Sequence, residues 1–183
     1  MKLRILLLAF MALPMLGQTL AQLPEWASRE AAVSLRETPP PDVDAWVLFM
    51  RHEVAYMGDG EIRTRTLRLV KVLGERGLNE GVFFVHSLGG RAGKIKTLKG
   101  WNLRPDDELV KLSRGDVGVV DTDSWDETST SFATVAEIPR VVVGSLIAFE
   151  SEEVSRLPMG PVDEEYVVED IPIRKWEITF AKQ

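Results

Sequence analysis

His52 and His86 are the only imidazole bases of the sequence, and it contains no cysteine. Acyl transfer through a thiolate needs a cysteine activated by a histidine, with a third group orienting that histidine. The chain therefore has no means of running that reaction by itself. A serine version would have to use His52 or His86 as its base. His52 stands between Arg51 and Glu53 in a strand-like stretch, where an exposed histidine is the expectation. His86 follows Phe83, Phe84 and Val85, where a partly buried structural histidine is expected. No catalytic residue is assigned on this basis, and the chain is expected not to be an enzyme.

Three acids in "GDVGVVDTDSWDE", namely Asp121, Asp123 and Asp126, offer hard oxygen ligands of the kind that calcium takes. The stretch lacks the central glycine and the terminal glutamate of the helix-loop-helix calcium motif, and an acid-rich loop is more often simply solvated. Calcium is accordingly the one cofactor the sequence suggests, with these three residues as its candidate ligands. Trp125, flanked by Ser124 and Asp126, is the candidate for an exposed contact, whereas Trp46 and Trp176 sit in apolar stretches and read as packing anchors. "LGGRAGK" invites comparison with a phosphate-binding loop, but Leu88 and Ile95 occupy the places where that motif needs glycine and a hydroxyl residue. It reads as a turn between strands. Arg91, Lys94, Lys96, Lys99 and Arg104 read as the wet face of a hairpin, with too few interleaved aromatics for a nucleic-acid site.

The elements that must position these residues begin after an export signal. Lys2 and Arg4 precede an apolar run from Ile5 to Leu16, and Thr19 and Ala21 bracket a cleavage site, so residues 1–21 are expected to be removed after Ala21. The run is shorter than the roughly 20 residues that cross a bilayer and contains Pro14, which argues against a membrane anchor. A periplasmic or secreted location follows. Removal of Lys2 and Arg4 leaves 20 basic against 28 acidic residues, a balance that disfavours nucleic acid and anionic membranes as partners. The 183 residues, 45% hydrophobic and 27% charged, suit one globular domain whose stability must come from its core rather than from disulfides.

Residues 22–44 form a lead-in, with a short helix in "WASREAAVSLRE" followed by the stiff segment "TPPPD". Strands and turns then occupy residues 45–183. "AWVLFMRHEVAYM" and "EIRTRTLRLVKVL" flank Gly58-Asp59-Gly60 as a long hairpin. Further strands are expected at 81–88, 94–103, 109–112, 132–138, 145–154, 165–169 and 174–181. In "IPRVVVGSLIAFESEEV" the three valines at 141–143 are expected in the core, with Gly144 as a bend before the next strand. Predicted core positions include Val47, Phe49, Leu69, Val70, Leu98, Val142, Ile147, Phe149, Trp176, Ile178 and Phe180. Many short strands punctuated by glycine and proline predict an all-β antiparallel sandwich behind a short N-terminal helix.

The order of motifs resembles a domain-of-unknown-function family found N-terminal to transglutaminase-like domains in secreted or periplasmic bacterial proteins. Carrying residues are Ala45-Trp46-Val47-Leu48, Arg68-Leu69-Val70-Lys71-Val72-Leu73 with Gly77, and Lys94-Ile95-Lys96-Thr97-Leu98 leading into Pro105-Asp106-Asp107. Ile138-Pro139, Gly144-Ser145-Leu146-Ile147-Ala148-Phe149-Glu150 and Ile171-Pro172-Ile173 complete the set over residues 40–181. Asp107 stands where the pattern usually has glycine, and no transglutaminase-like core follows within these residues. The resemblance implies a non-catalytic exported module that acts by binding or by supporting a transglutaminase-like protein. A stand-alone carbohydrate- or calcium-binding module is the alternative, and a small hydrolase the third.

Overall fold

The computed structural model of the chain describes residues 19–57, 60–87, 93–121, 132–156 and 171–182. The described residues are predominantly strand, arranged in two sheets with one α-helix packed outside them.

Strands β1 (Ala45–Tyr56) and β2 (Glu61–Val72) form the expected long hairpin, paired antiparallel from Ala45↔Val72 to Tyr56↔Ile62. Then come β3 (Val82–Ser87), β4 (Gly93–Leu103), β5 (Leu109–Lys111), β6 (Val117–Asp121), β7 (Phe132–Glu137), β8 (Leu146–Arg156) and β9 (Trp176–Lys182). Six of them line up as β5-β4-β8-β2-β1-β9, and the other three as β3-β7-β6. All pairs are antiparallel except β1 with β9, which run parallel. An antiparallel sandwich is thus the right class, with one parallel edge. The expected strand at 165–169 lies outside the described residues.

Because opposed residues share a face, the register sorts the apolar positions onto the two faces of the large sheet, with a further cluster of Ala45, Val47, Met50 and Val70 under Ile171 and Ile173. Phe49, Leu69 and Ala148 point towards the helix α1 (Glu25–Ser34), and Ile147 and Phe149 towards the small sheet. A bulge between Val47 and Phe49 adds a residue to β1, so that Leu48 and Phe49 are both buried. The helix buries Ala27, Glu30, Ala31 and Ser34, a stripe at helical spacing whose small side chains allow close approach. Glu30 is held by Lys175 Nζ at 3.3 Å, and that ammonium lies 5.0 Å from the Phe49 ring centroid.

On the opposite face Phe83 of β3 stacks on Phe149 of β8, with ring centroids 4.0 Å apart and planes 1° from parallel. Val85, Ala136 and Ile138 close that core over Val72 and Ile147. The whole is a two-sheet sandwich with a helix on its outer side.

Several expectations are corrected. Val141, Val142 and Val143 form no strand but lead into the turn at Gly144; Val141 packs against the core as expected, whereas Val143 is 41% exposed. Gly144 is the bend, at φ +92, where a side chain would also meet Pro105 Cγ at 2.8 Å. Trp176 and Phe180, expected in the core, are 42% and 68% exposed because β9 is an edge strand. Trp46, by contrast, is buried as expected. Asp107 adopts φ 67, the left-handed conformation that explains why glycine also suits this turn.

Candidate functional site

The small sheet is three strands wide and packs over β8, β4 and the end of β2; beside its edge strand β3, the start of β1 is covered by Ile171 and Ile173, and among the described residues the rest of the inner face of β1 and β9 is more open. A cleft of about 650 Å³ lies there. Its floor comes from alternate residues of three strands, because period-two alternation sends every second side chain to this face. One row across the sheet is His52, Thr66 and Ser151, and the next is Val54, Thr64 and Glu153. Phe83 and Phe149 close one wall.

His52 is half-buried rather than exposed, and its Nδ1 lies 3.2 Å from Thr66 Oγ1. Its neighbours across the sheet are Thr66 and Ile178. Ser151 is buried and stands two strands away, beyond Thr66. At about 4.8 Å per strand that separation is roughly 10 Å, well outside the hydrogen-bond reach a nucleophile and its base require. The fold therefore does not bring His52 and Ser151 together as a catalytic pair. His86 lies in β3, on the strand that borders the cleft.

The end of the cleft nearest the turn of residues 75–81 is charged. Arg68 donates from Nη2 to Glu80 Oε2 at 2.7 Å, and its guanidinium lies 5.5 Å from the Phe83 ring centroid. Arg68, Phe83 and Phe149 thus form a packed series in which the cation meets an aromatic face.

Glu153 was legible only as one member of a charged strand end, yet the register places it inside, opposite Thr64 and Ile95. Burial raises its pKa from 4.5 to about 7. The folded protein therefore keeps this proton where the unfolded chain has lost it, and stability falls as pH rises from about 4.5 to about 7. At about 1.4 kcal/mol per tenfold, the displacement amounts to at most ~3.5 kcal/mol, and solvent in the cleft reduces it to about 1–2 kcal/mol. Glu153→Gln should flatten that part of the stability profile and melt above the parent protein at pH 8. An unchanged pH dependence in urea titrations would contradict the burial of this carboxyl.

The opposite face of the same strands shows what an ordinary solvated surface looks like here. Arg65 bridges Glu53 at 3.3 Å and Glu150 at 2.9 Å, and Arg51 Nε donates to Glu177 at 2.7 Å. Lys94, Lys96 and Lys99 are exposed as expected of a hairpin's wet face, whereas Arg104 is largely buried and ion-paired to Glu108 at 2.6 Å. Arg91 lies outside the described residues.

The calcium candidates are not placed: Asp123 and Asp126 lie outside the described residues, as does Trp125, and only the backbone of Asp121 is described, at the end of β6. Among the described residues no three His, Cys, Asp or Glu side chains gather as a metal site would require. Among them, too, no helix is long and apolar enough to cross a membrane.

Fold and site together define a class: a two-sheet β-sandwich with an outer helix and a polar-floored cleft where the smaller sheet stops short. The sequence matches no family model and no curated protein. The fold does match solved structures, among them the crystal structure of a putative protease from Parabacteroides distasonis. That match has a TM-score of 0.65 at 14% identity and covers 76% of this chain but 29% of the other. At that identity the likeness concerns the fold, and the present chain spans less than a third of the longer protein.

Proposed function

We propose that the protein is an exported, non-catalytic β-sandwich module that supports a transglutaminase-like protein by binding it through the cleft and the adjoining face of β1 and β9. The observation that carries this reading is the exposed β9 side of the inner face, since the start of β1 is covered by Ile171 and Ile173. A sheet face beside an edge strand, with Trp176 and Phe180 exposed on it, is the kind of surface that partner chains cover. The fold also occurs within a longer chain, a putative protease, of which the match covers 29%. The absence of cysteine and the separation of His52 from Ser151 speak against acyl chemistry in this chain.

Calorimetry of the purified chain against a transglutaminase-like domain from the same genome should give saturable binding. Phe180→Asp should weaken it tenfold or more, about 1.4 kcal/mol, without lowering the melting temperature. Binding indifferent to Phe180→Asp would remove this face from the account. Turnover of peptide, ester or glycoside substrates that is lost in His52→Ala would make the protein an enzyme instead.

A further inference from the structure

On the helix side of the large sheet, one lysine has no carboxylate partner among the described residues. Lys71 of β2 belongs to the row Trp46, Lys71, Leu146 and Leu103, whose three apolar members are 6%, 2% and 7% exposed. Its Nζ donates to the carbonyl of Gly144, and among the described residues no carboxylate pairs with it. Burial alone holds its pKa below the ordinary lysine value. A half-buried charge with only a carbonyl as partner leaves part of its desolvation cost uncompensated.

The same lysine lines a pocket of about 380 Å³, at the small end of the range for ligand sites. Its walls are mainly apolar, with Leu35, Leu103, Pro105 and Leu146 prominent. Arg104 also lines it; its Nε is buried with no acceptor among the described residues, but its charge is paired with Glu108 at 2.6 Å and Asp106 at 3.5 Å. Asp107 lies on the lining too, but among the described residues no ion pair joins it to Lys71. The site thus offers apolar walls and a half-buried ammonium that no described carboxylate pairs with.

From this geometry we infer that the pocket binds an alkyl carboxylate, the carboxylate pairing with Lys71 Nζ and the chain lying along Leu35, Leu103 and Leu146. The surface is separate from the cleft, and the inference does not depend on the partner reading. Thr19 and Leu20 form part of the wall. Cleavage after Ala21 would remove both and leave Lys71 and the three leucines in place, so the test applies to either N-terminus.

Calorimetry with octanoate and with 1-octanol separates the charge from the chain. The parent protein should bind octanoate at least tenfold more tightly than 1-octanol, and Lys71→Met should abolish the difference while melting no lower than the parent. Equal binding of the two ligands, no binding of octanoate, or octanoate binding kept in Lys71→Met would each overturn the inference. Should Lys71→Met fail to fold, the side-chain nitrogen resonance of Lys71 in the parent decides: octanoate should raise its titration midpoint, and an unmoved midpoint overturns the inference.

Discussion

Phe149→Ala should lower the stability of the protein by about 3–5 kcal/mol, the cost of removing a phenylalanine from a closed core. Phe149 is 3% exposed, and its ring is one half of the stack with Phe83 that joins the two sheets. Cavity formation is only part of the loss. Phe83 would lose its aromatic partner, and the packed series from Arg68 through Phe83 would lose its base, so the cleft wall would loosen as well. For a chain of this size the change corresponds to a fall of roughly 10 °C in melting temperature. Phe180→Ala supplies the internal comparison: that ring is 68% exposed, and its removal should stay within about 0.5 kcal/mol. Equal losses in the two variants, measured by urea unfolding, would mean that the two sheets are not joined where the structure places them.

Both phenylalanines look alike in the sequence, and the difference between them shows what a sequence pattern carries. Alternation gave the β1–β2 hairpin and the burial of Trp46, Val47 and Leu69, because one face of a strand repeats every second residue. It does not say whether another sheet lies over that face. Trp176, Ile178 and Phe180 have the pattern of a buried strand, but β9 pairs on one side only and the small sheet does not extend over it. The three valines at 141–143 misled for a different reason. β-branched residues favour strands, but Pro139 before them and a glycine at φ +92 after them leave room only for a turn.

The cleft was partly legible. Phe149, Ser151 and Glu153 share a parity, which assigns Glu153 to the face that Phe149 buries, whereas Glu150 and Glu152 go to the solvated one. That signal was present in "FESEE" but masked by the run of charges. Lys71, inside "RLVKVL", carried a similar signal: a single charge in an apolar run must either reach water or be buried. Its row on the helix side of the sheet leaves it half-buried, and that depends on the lead-in docking against β2 and β8, a contact with no trace in local sequence. The parallel pairing of β9 with β1 is likewise a long-range matter of topology.

Gly77→Ala should be comparably damaging, at or above the top of the ~1–3 kcal/mol range for overpacking. A Cβ at this position would lie 2.0 Å from the carbonyl oxygen of Asp44 and 2.8 Å from its carbon. That carbonyl cannot move aside cheaply, since it accepts from Leu73 N at 2.7 Å and from Gly74 N at 2.8 Å while its side chain is held by Arg76 at 2.7 Å. The turn from Glu75 to Gly81 would have to shift instead. Glu80 rides on that turn and holds Arg68, so displacement would pass directly to the charged end of the cleft. Gly118→Ala is the control, because a Cβ there meets nothing within 4 Å. Urea unfolding should therefore separate the two variants by more than about 2 kcal/mol. In Gly77→Ala, amide exchange should accelerate from Glu75 to Gly81 and along the start of β3, while the far end of the sheet, at β4 and β5, keeps its protection. Coincident unfolding midpoints for Gly77→Ala and Gly118→Ala would contradict the close packing of this turn against the start of β1.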